Sequence, residues 1–268
     1  SAMKMVAAAK LKRAQENAER TRPYAEKMKE IVLSLTGKVN KSNFKFGQKP
    51  NANNDKKIVL LVICSSDRGL CGGFNGSIIK YTKKLVSEVS EKGKGLKYIF
   101  VGKKAYLSLK RFCGDSILEQ IQDFANPTIK FELAGDVRDK ILKLFMNNEI
   151  SECHLIYTEF KSAISQTVKS QKLLPVEEEE SDDQQNKSSS TYEYEPSEEE
   201  LLDQIIPKNI AIQIHSGLLE NLASEQGSRM TAMDNATRNA GELVDKLTIN
   251  YNRSRQASIT KELIEIIS

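Results

Sequence analysis

The chain has 268 residues, 39% hydrophobic and 28% charged, with a formal net charge of +4. That composition is too polar for an integral membrane protein and too apolar for a disordered one, and the length allows one or two domains. No run approaches the ~18 apolar residues that crossing a bilayer requires, and lysines interrupt the opening SAMKMVAAAKLKRAQ, so it is not a secretory leader.

Residues 1–36 read as one helix. Ala7, Leu11, Ala14, Ala18, Thr21, Ala25, Met28, Val32 and Leu35 keep a strict 4-3-4-3 spacing, the seam of a coiled coil. The alanines allow close approach of a partner helix. Pro23 predicts a local bend, because it removes one backbone donor. Gly37 is a stop signal, and the polar stretch 38–56 reads as a loop. The helical pattern begins abruptly, so further residues are expected before Ser1.

Residues 57–206 alternate strand and helix signals. Ile58–Cys64 (IVLLVIC) is a continuous apolar run, as a strand buried on both faces requires. Phe74, Ile78, Tyr81, Leu85 and Val89 recur at helical spacing, with Gly93 and Gly95 ending that helix. Lys97–Val101 reads as a strand and Lys103–Phe112 as a short helix. Either 116–122 or 128–132 supplies another strand. Ala134–Asn147 reads as a helix, Cys153–Phe160 as a strand, and Gln166–Leu174 as its hairpin partner. The succession predicts an α/β domain, Rossmann-like, with a mainly parallel sheet. The acidic stretch 177–190 is of low complexity and reads as a mobile loop. Thr191–Glu195 suggests a short edge strand, Ser197 and Glu200 have capping-box spacing, and Pro207 is expected to end the helix they start.

Residues 208–268 contain no proline. Ile210, Ile214, Leu218 and Leu222 recur at spacing four. Met230, Met233, Thr237, Ala240, Val244, Leu247, Tyr251, Ser254 and Ser258 then keep 3-4-3-4 spacing. One helix of about 60 residues and ~90 Å follows, against about 54 Å for the first helix. The expected fold is therefore α/β, with the N- and C-terminal helices forming a long antiparallel coiled coil whose two seams pack together. The last helix would outrun its partner by about 35–40 Å. Its far end carries Ile259, Leu263, Ile264, Ile266 and Ile267 on more than one face, so it should sit inside something: residues preceding Ser1 could cover part of it and a surrounding protein sleeve the rest.

Charge is uneven. Residues 1–57 hold fourteen Lys/Arg against five Asp/Glu, and 176–203 hold one Lys against twelve Asp/Glu. A basic arm binding nucleic acid is one reading, but the arm has one tyrosine, no tryptophan and no readout motif; a charged outer face of a long helix is the other. Four cysteines (Cys64, Cys71, Cys113, Cys153) and two histidines (His154, His215) show no metal-ligand or disulfide spacing, so no metal site is expected. The feature closest to an active site is SSDRGLCGGFN, Ser65 to Asn75, between a buried strand and a helix, where α/β proteins often bind phosphate or a cofactor. Its glycines follow Gly-x-x-Gly-Gly rather than GxGxxG, and no P-loop lysine is present. Two readings stand. One is a nucleotide-dependent enzyme using 67–75. The other is a structural turn of Asp67, Arg68, Gly69, Gly72 and Gly73, in which Asp67 and Arg68 cap the helix and pair locally. Cys71, at the helix start, is expected to gain thiolate character, with no histidine nearby as a base.

Five blocks carry a resemblance: AMKMVAAAKLKRAQ, RPYAEKM, SSDRGLCGGFN, ENLASEQGSRMTAMDNATRNAGE and YNRSRQASITKELIEII. In this order they are similar to the γ subunits of F-type ATP synthases, bacterial forms most of all. The resemblance implies a central stalk turning inside a ring of α and β subunits, one copy per complex. Its α/β domain would lie against the ε subunit and the membrane ring of c subunits, on the cytoplasmic face of a bacterial inner membrane. It implies no catalytic residue, cofactor, metal or nucleic acid in this chain: chemistry occurs on β, and proton flow turns the shaft. By position in the matching motifs, Arg255 and Gln256 fall where the family touches a loop of β, and Met3 and Lys4 where the shaft passes the β lever. Ile259, Leu263, Ile266 and Ile267 are expected to form the upper bearing. The family commonly extends at both ends beyond this chain, and the acidic insert is longer than expected.

Overall fold

The computed structural model describes residues 2–37, 39, 45–47, 57–126, 128–176 and 198–267. The acidic stretch 177–190, the expected strand at 191–195 and Ser197 lie outside them. Helix α1, Ala2–Thr36, leads into β1 (Ile58–Cys64), α2 (Phe74–Glu91), β2 (Gly95–Val101) and α3 (Lys103–Cys113). Then come β3 (Ile117–Ile121), α4 (Phe131–Met146), β4 (Glu152–Phe160), β5 (Gln166–Leu174) and α5 (Glu198–Ile267). The sheet order is β3-β2-β1-β4-β5. Every pairing is parallel except β4 with β5, the expected hairpin. Of the two segments weighed for the third strand, the first forms it.

Period-two alternation in β1 divides the core. Leu60, Val62 and Cys64 face α1, α4 and α5; Val59, Leu61 and Ile63 face α2 and α3. A strand covered on both faces has no polar side, which is why IVLLVIC shows none. We call the sheet with α2, α3 and α4 the foot, and the α1–α5 pair the shaft.

The shaft is antiparallel. Lys4 of α1 pairs with Asp234 of α5, Arg22 with Glu220, and Gln213 donates to the Ala25 carbonyl. Seven of the nine α1 seam positions are buried, and Thr21 and Met28 are half-buried. Its partner differs from the expected one. Two helices with the same rise cover each other residue for residue, so α1 is matched by residues 202–234 of α5. Beyond Met233 every position to Ile267 is exposed, including the seam residues Thr237, Ala240, Val244, Leu247, Tyr251, Ser254 and Ser258. This exposed run from Asp234 to Ile267 is 34 residues, about 50 Å of helix.

Helix α5 also starts earlier than expected and runs through Pro207. A proline inside a helix costs about 3 kcal/mol. Leu202, Ile206 and Ile210 on either side are completely or almost completely buried, and each contributes about 1.5–3 kcal/mol. Packing therefore outweighs the lost hydrogen bond. Helix α1 likewise continues through Pro23, which is exposed.

The two histidines give a pH dependence. His154 lies on β4 beside Glu152, and His215 on α5 makes an edge contact with Phe131 of α4. Burial pushes both imidazoles below their ordinary value, against the pull of Glu152 and Glu132 respectively. The unfolded chain then takes up protons that the folded chain refuses. Their contribution is complete above the unfolded value of about 6.5, is lost as pH falls towards the folded values, and levels off below them. We expect the urea midpoint of the chain to fall between about pH 7.5 and 5.5, and His215→Phe to flatten part of that fall. A slope unchanged in the variant would remove His215 from the account.

Candidate functional site

The glycine turn stands where the C-terminal ends of β1, β2 and β3 meet. Ser65 N–H donates to the Val101 carbonyl at 2.7 Å, and Ser65 Oγ accepts from Ala105 N–H at 3.1 Å. Ser66 Oγ donates to the Arg68 carbonyl at 2.7 Å and accepts from Asn75 Nδ2, also at 2.7 Å. Leu70 and Gly72 both have left-handed backbones, at φ +62° and +55°. Only glycine holds such a conformation without strain, which accounts for Gly72.

Asp67 does not cap the helix that follows it. Helix α2 has Gly73 at its N-cap and no side-chain cap, and Asp67 and Arg68 form no ion pair with each other. Asp67 instead accepts from the Lys103 N–H at 3.1 Å, at the start of α3, and the Asp123 and Phe124 N–H groups also point to it. Desolvation and the nearby Asp123 raise its pKa against those hydrogen bonds. One carboxylate thus ties three loops together. The expected thiolate character of Cys71 is reversed. Burial pushes this thiol up, because removing a thiolate from water outweighs the favourable groups around it.

Helix α5 covers the turn. Ser228 Oγ donates to the Cys71 carbonyl at 2.7 Å, and Arg229 donates to the Gly69 carbonyl at 3.1 Å while paired with Glu225. The backbone of the turn therefore engages the shaft. Gly69 and Gly73 line the same loop; a Cβ at Gly73 would meet nothing within 4 Å. Among the described residues no group of three or more His, Cys, Asp or Glu is placed to hold a metal ion.

The residues expected to touch partners fall at two levels of the shaft. Met3 is 63% exposed, one residue from Lys4, whose ammonium pairs with Asp234 and holds that carboxyl below its usual range. Arg255, Gln256, Ile259, Leu263, Ile266 and Ile267 lie on the bare part of α5, about 30 Å further along. At 100° per residue these six share an arc of about 120°. The sequence reading placed the apolar tip on several faces, and Ile264 does stand outside this arc, but the six candidates form one stripe.

A family model described as ATP synthase matches residues 1–268. The gamma chain of Pelagibacter ubique is 51% identical over 273 residues, covering 100% of this chain and 91% of that one. The chain belongs to the ATP synthase gamma chain family. The gamma chain of Rhodospirillum rubrum is 46% identical, again over the whole of this chain and 91% of its own length. Among solved structures, the central stalk and c ring of the Tetrahymena thermophila mitochondrial ATP synthase matches with a TM-score of 0.63 and 29% identity, over 88% of this chain and 98% of that one. The rotor of the Euglena gracilis mitochondrial enzyme, at 16% identity and a TM-score of 0.59, covers 94% of this chain and 99% of that one, and shares the fold. A gamma-chain sheet thus uses the crevice at its strand ends to seat a shaft helix, where other α/β proteins seat a ligand.

Sequence reasoning missed the polar residues that fasten the foot to the shaft. Gln213, Glu220, Asn221, Ser224, Ser228 and Thr231 recur at helical spacing along α5 and bond to the foot, three of them to β4. The available signal was that this helix carries polar residues on a face that is otherwise buried.

Proposed function

We propose that the chain is the rotating central stalk of an F-type ATP synthase. The supporting observation is a gamma-chain family member whose last helix is exposed at every position from Asp234 to Ile267. That stretch carries exposed Leu243, Val244, Leu247, Ile259, Leu263, Ile266 and Ile267, too much apolar surface to leave in water. A sleeve of alternating α and β subunits would cover it. The foot would meet the ε subunit and the c ring. No described helix is long and apolar enough to cross a membrane; in this reading the chain is held at the cytoplasmic face of a bacterial inner membrane by its partners.

Catalysis then belongs to β, and this chain supplies asymmetry. Rotation presents a different side of that stretch to each β subunit in turn. A contact biases a conformation only through its differential affinity for two states, so unequal faces are the working part. Arg255 and Gln256 would make directional contacts with β, and Met3 and Lys4 would pass its lever. Ile259, Leu263, Ile266 and Ile267 would form the bearing, with non-directional contacts that have few hydrogen bonds to break at each step.

Reconstitution tests this reading. Mixed with purified α and β subunits, the chain should enter a complex at one copy and sustain Mg-ATP hydrolysis. A folded chain that neither enters the complex nor alters hydrolysis would sink it.

A further inference from the structure

Two side chains of α5 each touch all three parts of the rotor. Glu220 Oε1 accepts from Arg22 Nε of α1 at 3.0 Å, and its Oε2 accepts from the Phe160 N–H at the end of β4 at 2.9 Å. Two turns away, Gln213 Nε2 donates to the Ala25 carbonyl of α1 at 2.9 Å, while its Oε1 accepts from Gln171 Nε2 of β5 at 2.8 Å. Both residues are at least nine-tenths buried. Arg22 also donates to the Phe160 carbonyl, and its guanidinium is pushed above its ordinary value by the bond to Glu220. The other polar ties from α5, through Asn221, Ser224, Ser228 and Thr231, reach the foot and not α1.

We propose that Gln213 and Glu220 are the positioning residues of the rotor, fixing the angular setting of the foot on both shaft helices. The proposal rests on the central-stalk reading. A single pin fixes a position but leaves a pivot. Seven residues separate these two on one face, about 10 Å along the axis, so together they oppose both sliding and tilting. Apolar packing between shaft and sheet is strong but non-directional, and permits small slips. Hydrogen bonds have narrow angular tolerance, and a bond to a charged group is about twice as strong as a neutral one. Gln213 and Glu220 are therefore directional where the tip is not. Torque entering at the foot reaches α1 and α5 together.

The test uses the complete ATP synthase carrying this chain, sealed in vesicles, with ATP hydrolysis and ATP-driven proton uptake measured together. The variant Gln213→Leu with Glu220→Gln keeps side-chain size and leaves no buried lone charge. Hydrolysis should stay near the parent rate while protons pumped per ATP fall several-fold. A lock then replaces the pins. A Cβ at Gly72 would lie 3.6 Å from the Cβ of Ala232, inside the disulfide range of about 3.5–4.5 Å. Adding Gly72→Cys and Ala232→Cys should restore the pumping ratio on oxidation and lose it on reduction. In the parent background the same cysteine pair sets the baseline: a cysteine at Gly72 strains the left-handed turn (φ +55°) equally in both states, so the pumping ratio there should not change between oxidation and reduction. An unchanged ratio in the first variant overturns the proposal, as does a formed disulfide that leaves the ratio low. Failure of the first variant to assemble also overturns it, since these residues would then hold the fold and not the setting. A parent chain that supports no hydrolysis with its partners would instead sink the central-stalk reading.

Discussion

Replacing Gly102 with alanine should cost about 3–5 kcal/mol, a large share of a typical domain stability of about 5–15 kcal/mol. The residue has φ +102°, and an added Cβ would stand 2.3 Å from the Ser65 carbonyl oxygen. Neither atom can yield. Ser65 N–H is bonded to Val101, and Gly102 N–H donates to the Ile121 carbonyl at 2.8 Å, so three strand ends would have to separate. The clash is with backbone, which has no rotamer to escape into. Gly76 provides the control. It lies in α2, is exposed, and a Cβ there would meet nothing within 4 Å. Gly76→Ala should raise stability by about 0.5–1 kcal/mol. Urea unfolding of the two variants should therefore move in opposite directions, and a stable Gly102→Ala would refute this account of the strand ends.

Substituting Arg255 and Gln256 together by alanine should leave the fold untouched and impair the motor. Both are exposed on the bare helix, and exposed sites change stability by no more than about 0.5 kcal/mol. In the assembled enzyme they would bond to β in some rotational positions and not others. One lost charge-assisted bond, worth about 1.5–3 kcal/mol, corresponds to a factor of about ten or more in rate if it is made only at the rate-limiting position. We expect ATP synthesis and hydrolysis to drop about tenfold with urea unfolding of the free chain unchanged. Parent-like turnover would show that the stripe turns without directional contacts at these positions.

Local rules made the fold legible where partners are near in sequence or where one pattern dominates. The run IVLLVIC reads as a buried strand because both its faces are covered, and the α1 seam reads as a coiled coil because small and apolar residues recur along its whole length. The same rules failed where the partner is remote. Asp67 looked like a cap for its own helix and serves α3, 36 residues on. Pro207 looked like a terminator because the burial that sustains the helix is tertiary. The 237–258 seam is real as a pattern, but spacing does not say which helix covers it. Of the candidate site, motif position supplied Met3, Lys4, Arg255 and Gln256, the apolar helix tip supplied Ile259, Leu263, Ile266 and Ile267, and the structure added that six of the eight share one stripe. Gln213 and Glu220 were illegible, since their partners in α1 lie 188 and 198 residues away.

The antiparallel pairing of α1 with α5 also sets an order of assembly. Lys4 meets Asp234 across 230 residues, so α1 must wait for the far part of α5. Until α5 emerges from the ribosome, α1 has no partner, and the sheet face bearing Leu60, Val62 and Leu155 lacks its main cover. The strands and α2–α4 can form from contacts close in sequence, whereas closing the shaft pays the largest loop entropy in the molecule. A nascent chain halted just before residue 198 therefore exposes two complementary apolar surfaces with nothing to join them, and there aggregation and chaperone capture compete with folding.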